Sequence, residues 1–146
     1  MANITVSWDM SEVKKMMQKL QAASKSGSQA LVHGGMVVVS HAKINAEGHG
    51  LHKTGHLIGS INVYDIKPYS VMVGSRGVIY AMAHEFGVTI YPRRKKFLSW
   101  IDEKSGERIF AKKAVIPMRS YLRPAFDENQ PEIVNAIARQ VTQELA

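Results

Sequence analysis

Apolar and polar positions repeat along this chain with two different periods, and the switch between them sets its organisation. Between residues 9 and 25, Val13, Met16, Met17 and Leu20 fall at i, i+3, i+4 and i+7, one stripe of an amphipathic helix. Lys14, Lys15 and Lys19 occupy its other faces, and Asp9 with Glu12 three residues on forms a capping box. Lys25-Ser26-Gly27-Ser28 favours a turn over continued helix. From Gln29 to Ala46 a second helix is predicted. Its apolar residues Leu31, Val32, Met36, Val37 and Val39 surround the axis, which implies contact on more than one side. Gly34-Gly35 in its middle lowers helix propensity by roughly 1 kcal/mol each relative to alanine, but permits a close crossing.

The period then shortens. After a polar loop over residues 47–56, Ser60 to Ile66 alternates strictly, as a half-buried strand does, and Pro68 ends it. Val71 to Gly74 is a second short strand, making a hairpin with the first. Tyr80 to Phe86 suits a short helix stopped by Gly87. Val88–Tyr91, Phe97–Ile101 and Arg108–Lys112 read as strands, with Asp102 to Gly106 as a turn. Beyond Ser120 a final helix is expected, with Asn129 as cap, Pro131 in its first turn, and a stripe of Ile133, Ile137 and Val141. This order lacks βαβ alternation. The fold class is therefore α+β: N-terminal helices, a small antiparallel sheet with an extended hairpin, and a C-terminal amphipathic helix.

Length and composition add bounds. At 146 residues, 45% hydrophobic and 21% charged, the chain suits one domain (1–146) with its own core, and has no internal repeat or linker. Residues 1–28 form its N-terminal helical part and 93–113 a charged hairpin insertion. The absence of cysteine excludes disulfides and thiolate metal sites, and is compatible with a reducing compartment. The first residues lack the pattern of a signal peptide, and the longest apolar run, Met36 to Val39, is too short to span a bilayer. A net charge of +7 suits an anionic partner without selecting nucleic acid, membrane surface or acidic protein.

Catalytic chemistry finds little support. His49, His52 and His56 lie close in sequence and suggest a metal site, but in a glycine-containing polar loop solvated imidazoles need no ligand. His84-Glu85 lacks the second histidine that a zincin helix requires. The acids read mostly as caps (Asp9, Glu12, Glu132) or turn residues (Asp102, Glu103, Glu107). Glu85 is flanked by apolar residues and reads as a hydrogen-bonded helix-end carboxylate, with no visible catalytic partner. No Gly-x-Ser-x-Gly motif or phosphate-cradling glycine loop is present. The expectation is a non-enzyme without cofactor or metal. The sharpest electrostatic feature is Arg93-Arg94-Lys95-Lys96, flanked by Tyr91 and Phe97. It reads either as a solvated hairpin loop whose charge guards strand edges, or as a phosphate-binding run with stacking aromatics facing DNA or a partner.

Three segments, taken in order, resemble a known family. Thr54-Gly55-His56-Leu57-Ile58-Gly59-Ser60-Ile61 is similar to the "TGxLxxSI" signature of the minor tail and virion-morphogenesis proteins of tailed bacteriophages. Tyr80-Ala81 with His84-Glu85-Phe86-Gly87 looks like their "YAxxxEFG" segment, and Ile116 to Phe126 resembles "iPaRPfLrPAf", with Ser120 where proline is common. The likeness covers roughly residues 30–146. It singles out Thr54, Gly55, Leu57, Ser60, Ile61, Tyr80, Glu85, Phe86, Gly87, Arg119, Leu122, Arg123 and Pro124 as motif and interface residues. In it, Gly55 and Gly87 take unusual backbone angles. Thr54 and Ser60 bond local backbone, while Leu57, Ile61, Tyr80, Phe86 and Leu122 fill a core. Arg119 and Arg123 suit forked bonds to carboxylates, within the chain or across a subunit boundary.

The resemblance implies a virion structural protein at the head–tail junction, a tail-completion or neck component joining tail to capsid. A tail terminator capping the tail tube is the alternative, and a basic nucleic-acid-binding module or a small histidine-dependent metalloenzyme are rivals of other classes. It further implies a homo-oligomeric ring, sixfold, among neck or head-completion and tail-tube or terminator proteins. DNA would lie in the channel, with no membrane partner, and assembly would take place in the host bacterial cytoplasm.

Overall fold

In a computed structural model, residues 11–21 and 27–145 are described. Two helices come first, α1 (Ser11–Gln21) and α2 (Gly27–Gly48), followed by a short α3 (His56–Ser60). A hairpin of β1 (Ile61–Lys67) and β2 (Ser70–Ser75) leads to α4 (Ala81–Phe86). Four short strands follow, β3 (Val88–Ile90), β4 (Leu98–Ile101), β5 (Arg108–Ala111) and β6 (Ala114–Ile116), and then α5 (Leu122–Asp127) and α6 (Gln130–Leu145). The class is α+β, with the amphipathic C-terminal helix in place. Every strand pairing is antiparallel, and the strands divide into three two-stranded ribbons, β1–β2, β3–β6 and β4–β5. On α1, Val13 and Met17 are buried and Met16 is exposed. The capping box of Asp9 with the Glu12 side chain lies outside the described residues.

The long helix α2 organises the core. Two stripes at a spacing of four are buried along it: Ala30, Gly34, Val38, Ala42 and Ala46, and beside them Leu31, Gly35 and Val39. Residues four apart share a helix face, so the stripes present two adjoining surfaces. Gly34 lies against Ile133 and Ile137 of α6, whose own buried stripe is Ile133, Ile137 and Val141. Gly35 lies against Val63, Val71 and Val73 of the β1–β2 hairpin. Helix α2 is thus buried from two directions, which is why its apolar residues surround the axis. The paired glycines mark the two close crossings.

In the hairpin, Ile61 pairs with Ser75 and Val63 with Val73, and these four residues line one face. Ile61, Val73 and Ser75 are buried. The register slips between Tyr64 and Lys67, where Asp65 takes φ +47° and its carboxylate meets Arg76 at 2.6 Å. Arg76 also lies 4.3 Å over the Tyr64 ring.

Three elements go beyond the pattern of the sequence. The five residues of α3 stand where the polar loop was expected to run into the strand; Gly55 at φ +68° starts the helix and buries Leu57. Helix α5 is separate from α6, and the Asn129 side chain donates to the Ala125 carbonyl, closing α5. Strand β6 completes the base of the ribbon that begins with β3.

Candidate functional site

The three sequence motifs fall into two neighbouring structural units. The first is built by α3 and the start of β1. Gly55 supplies the left-handed entry. Thr54 Oγ1 accepts from the His56 amide at 3.4 Å, and Ser60 Oγ donates to the Leu57 carbonyl at 2.7 Å. Ser60 also hydrogen-bonds Ser75, tying α3 to the buried end of β2, and Tyr64 donates to the Ser60 carbonyl at 2.6 Å. Leu57 and Ile61 are fully buried below this network.

The second unit joins α4 to α5. The Glu85 side chain is only 2% exposed, and a carboxylate out of water is costly unless its lone pairs are filled. They are filled. Oε1 accepts from Ser120 Oγ at 2.6 Å and the Arg123 amide at 3.0 Å; Oε2 accepts from the Tyr121 and Leu122 amides, both at 2.9 Å. These amides open α5, so a side chain some 35 residues away in sequence caps that helix across the fold. A backbone bond from the Arg119 amide to the His84 carbonyl, 2.7 Å, reinforces the joint. Gly87 then turns the chain at φ +71°, with the Met118 backbone nitrogen 3.0 Å from where a Cβ would stand. Gly87→Ala is accordingly expected to cost about 2 kcal/mol in urea unfolding, because it combines left-handed strain with a backbone clash.

Two motif residues differ from expectation. Tyr80 and Phe86 are 41% and 56% exposed, outside the core. Helix α4 buries Ala81 and Glu85, one turn apart, and the donors across residues 120–123 make the carboxylate the better inward residue. Leu122 is fully buried as expected. Pro124 is half-buried within α5, and Arg119 and Arg123 are exposed with no carboxylate in ion-pair reach among the described residues. Ser120 was noted only as a departure from the motif and Tyr121 not as a site residue, although Ser120 completes the Glu85 cage and Tyr121 is the largest fully buried side chain among the described residues. Their signal is non-local and lies in α4.

Burial, and then the Glu85 charge, pushes the Tyr121 phenol above its ordinary value. Its hydroxyl has no hydrogen-bond partner among the described residues. Tyr121→Phe is therefore expected to leave stability unchanged or raise it by about 1 kcal/mol, read from the urea midpoint. Burial, with the Arg119 charge, holds the His84 imidazole below 6.5. The unfolded chain thus takes that proton first, so His84 subtracts stability as the pH falls below 6.5.

The remaining histidines do not converge. His41 meets Glu132 at 2.7 Å, linking α2 to α6, and His49 Nε2 lies 3.1 Å from the Ser120 carbonyl. Among the described residues no group of three His, Asp or Glu stands close enough to hold a metal ion.

The charged hairpin forms an arm. Val88, Ile90, Ala114 and Ile116 share one face of β3–β6, because Val88 pairs with Ile116 and Ile90 with Ala114. In β4–β5, Leu98 pairs with Ala111 and Trp100 with Ile109, giving a second wholly apolar face. None of these eight residues is buried, and Trp100, Val88 and Ile90 are each about 40% exposed. Around the root of the arm, Ile79, Tyr80, Met82, Phe86 and Met118 are exposed as well. The tip carries Asp102, Glu103 and Glu107, and Glu103 pairs with Lys53. Arg93, Arg94, Lys95 and Lys96 are all exposed in the segment joining β3 to β4.

No helix among the described residues is long and apolar enough to cross a membrane. No family model, curated protein or solved structure matches the chain.

Proposed function

We propose that this chain is a structural assembly protein of a tailed-phage virion, a tail-completion or neck component at the head–tail junction. The single observation that carries the assembly role is the arm. A two-stranded ribbon alone is marginal in water, and an apolar face needs a second layer. Here, on the ribbon faces formed by Val88, Ile90, Ala114 and Ile116, and by Leu98, Trp100, Ile109 and Ala111, four residues are exposed and four only half-buried by their own chain. Exposed apolar surface of this extent is characteristic of docking sites. A neighbouring copy in a closed sixfold ring is the occupant this reading assigns, since head-to-tail contacts that close generate rings.

The buried carboxylate points away from catalysis. All four of its hydrogen bonds hold the α4–α5 joint together: three come from backbone amides and the fourth from the Ser120 hydroxyl, and no second acid is among its partners. The location in a virion rests on the three ordered motifs. Disrupting the gene in a phage that encodes this chain is expected to leave DNA-filled heads beside unattached tails of normal length, seen by negative-stain electron microscopy. Overlong tails would assign tail termination instead, and intact virions would refute both.

A further inference from the structure

We infer that the waist of the arm is a binding site for the phosphodiester backbone of nucleic acid, read without regard to base sequence. The register creates the site. Ile90 pairs with Ala114 and Leu98 with Ala111, so residues 91–97 on one side of the ribbon lie across from only Lys112 and Lys113 on the other. Two runs far apart in sequence, Arg93 to Lys96 and Lys112-Lys113, therefore meet at one place. Six cations share it, all exposed, and none is in an ion pair among the described residues.

The acids of the arm stand elsewhere. The arm's three acids all sit at the tip, where Asp102 accepts from the Ser105 amide and hydroxyl at 3.0 and 2.9 Å and Glu103 holds Lys53. Like charges so placed repel one another until a polyanion covers them. Arg93 to Lys96 lie in successive bends, so the four cations are gathered beside Lys112 and Lys113 and not drawn out along a strand. The flanking aromatics also favour nucleic acid: Tyr91 is 62% and Phe97 46% exposed, and aromatics beside cations stack on bases. This site does not depend on the virion reading, for a nucleic-acid-binding arm is equally at home in another complex.

The test is fluorescence anisotropy of the full chain with labelled duplex and single-stranded DNA of unrelated sequences, titrated over sodium chloride. Binding is expected to both, with log K falling linearly against log salt with a slope of about −5 for duplex, the value for six phosphate contacts. Arg93→Ala with Lys96→Ala should reduce the slope by about two, and Lys112→Ala with Lys113→Ala by the same amount. Lys14→Ala with Lys15→Ala, on the exposed side of α1, should leave it unchanged. Tyr91→Ala with Phe97→Ala should weaken single-strand binding about tenfold. Circular dichroism checks that each variant is folded. The inference is overturned by the absence of DNA binding at low salt, or by a Lys112/Lys113 variant that behaves like the Lys14/Lys15 control. Waist-dependent binding to phosphatidylserine vesicles in preference to DNA would overturn it too.

Discussion

Glu85→Gln is expected to destabilise the fold by about 3 kcal/mol, although it changes neither the size of the side chain nor its hydrophobic surroundings. The carboxylate accepts four hydrogen bonds from four donors, two on each oxygen. An amide has one acceptor oxygen. Placed toward the Tyr121 and Leu122 amides, it leaves its own NH2 facing the Arg123 amide, donor against donor. The Ser120 hydroxyl can rotate to accept; a backbone N–H cannot. Hydrogen bonds to a charged group contribute roughly 1.5–3 kcal/mol each, and a buried donor left unpaired costs about 1–3 kcal/mol. The favourable interaction between the carboxylate and the start of α5 disappears as well. Glu85→Ala should cost more, because three amides lose their acceptor, and Ser120→Ala less, about 1 kcal/mol, because one bond is lost and the amides keep theirs. Urea unfolding followed by circular dichroism gives all three values. A Glu85→Gln midpoint equal to that of the parent would show that the carboxylate charge contributes nothing to the joint.

That expectation also shows where the sequence is readable. Period-two alternation located β1, and the 3.6-residue period located α1 and α6, because each of those elements buries a face made of its own residues; α2 was legible as an apolar stretch surrounding its axis. Helix α4 follows a different logic. Its sequence offers Tyr80 and Phe86 for burial, and hydrophobicity alone places them inside. The structure instead buries Ala81 and Glu85, since the donors that satisfy the acid come from residues 120–123. No local pattern contains that information. The same holds for the arm: three of its four strands and the Arg93 to Lys96 run are legible, whereas β6 and the meeting with Lys112 and Lys113 follow from a pairing register that only the fold supplies. Helices α3 and α5 are five and six residues long, too short to display a period, and owe their existence to Gly55 and Glu85 respectively. The glycine pair in α2 was legible in kind, as a close crossing, but not in direction.

The direction matters for the second large effect. Gly34→Val is expected to destabilise by about 3 kcal/mol, or roughly 10 °C in thermal midpoint. A Cβ at Gly34 would stand 2.7 Å from Ile137 Cγ1 and 2.8 Å from its Cδ1, with Ile133 Cγ2 at 3.4 Å. Ile133 and Ile137 are 0% and 1% exposed, so neither has room to withdraw. Either α6 moves away from α2, opening a void along the stripe of Ile133, Ile137 and Val141, or the isoleucines leave their rotamers. Replacing glycine normally favours a helix by up to about 1 kcal/mol, and here the clash outweighs that gain. Gly48→Ala, in the same helix but with nothing within 4 Å of its Cβ, isolates the propensity term and should shift stability by less than about 1 kcal/mol. The crossing itself is tested by a double-mutant cycle. Ile137→Ala alone should cost about 2–5 kcal/mol through its cavity. In combination, the valine at 34 fills space vacated at 137, and the pair should cost less than the sum of the single changes by about 1–2 kcal/mol. Strict additivity would mean that these two positions do not touch, and that α2 and α6 cross elsewhere.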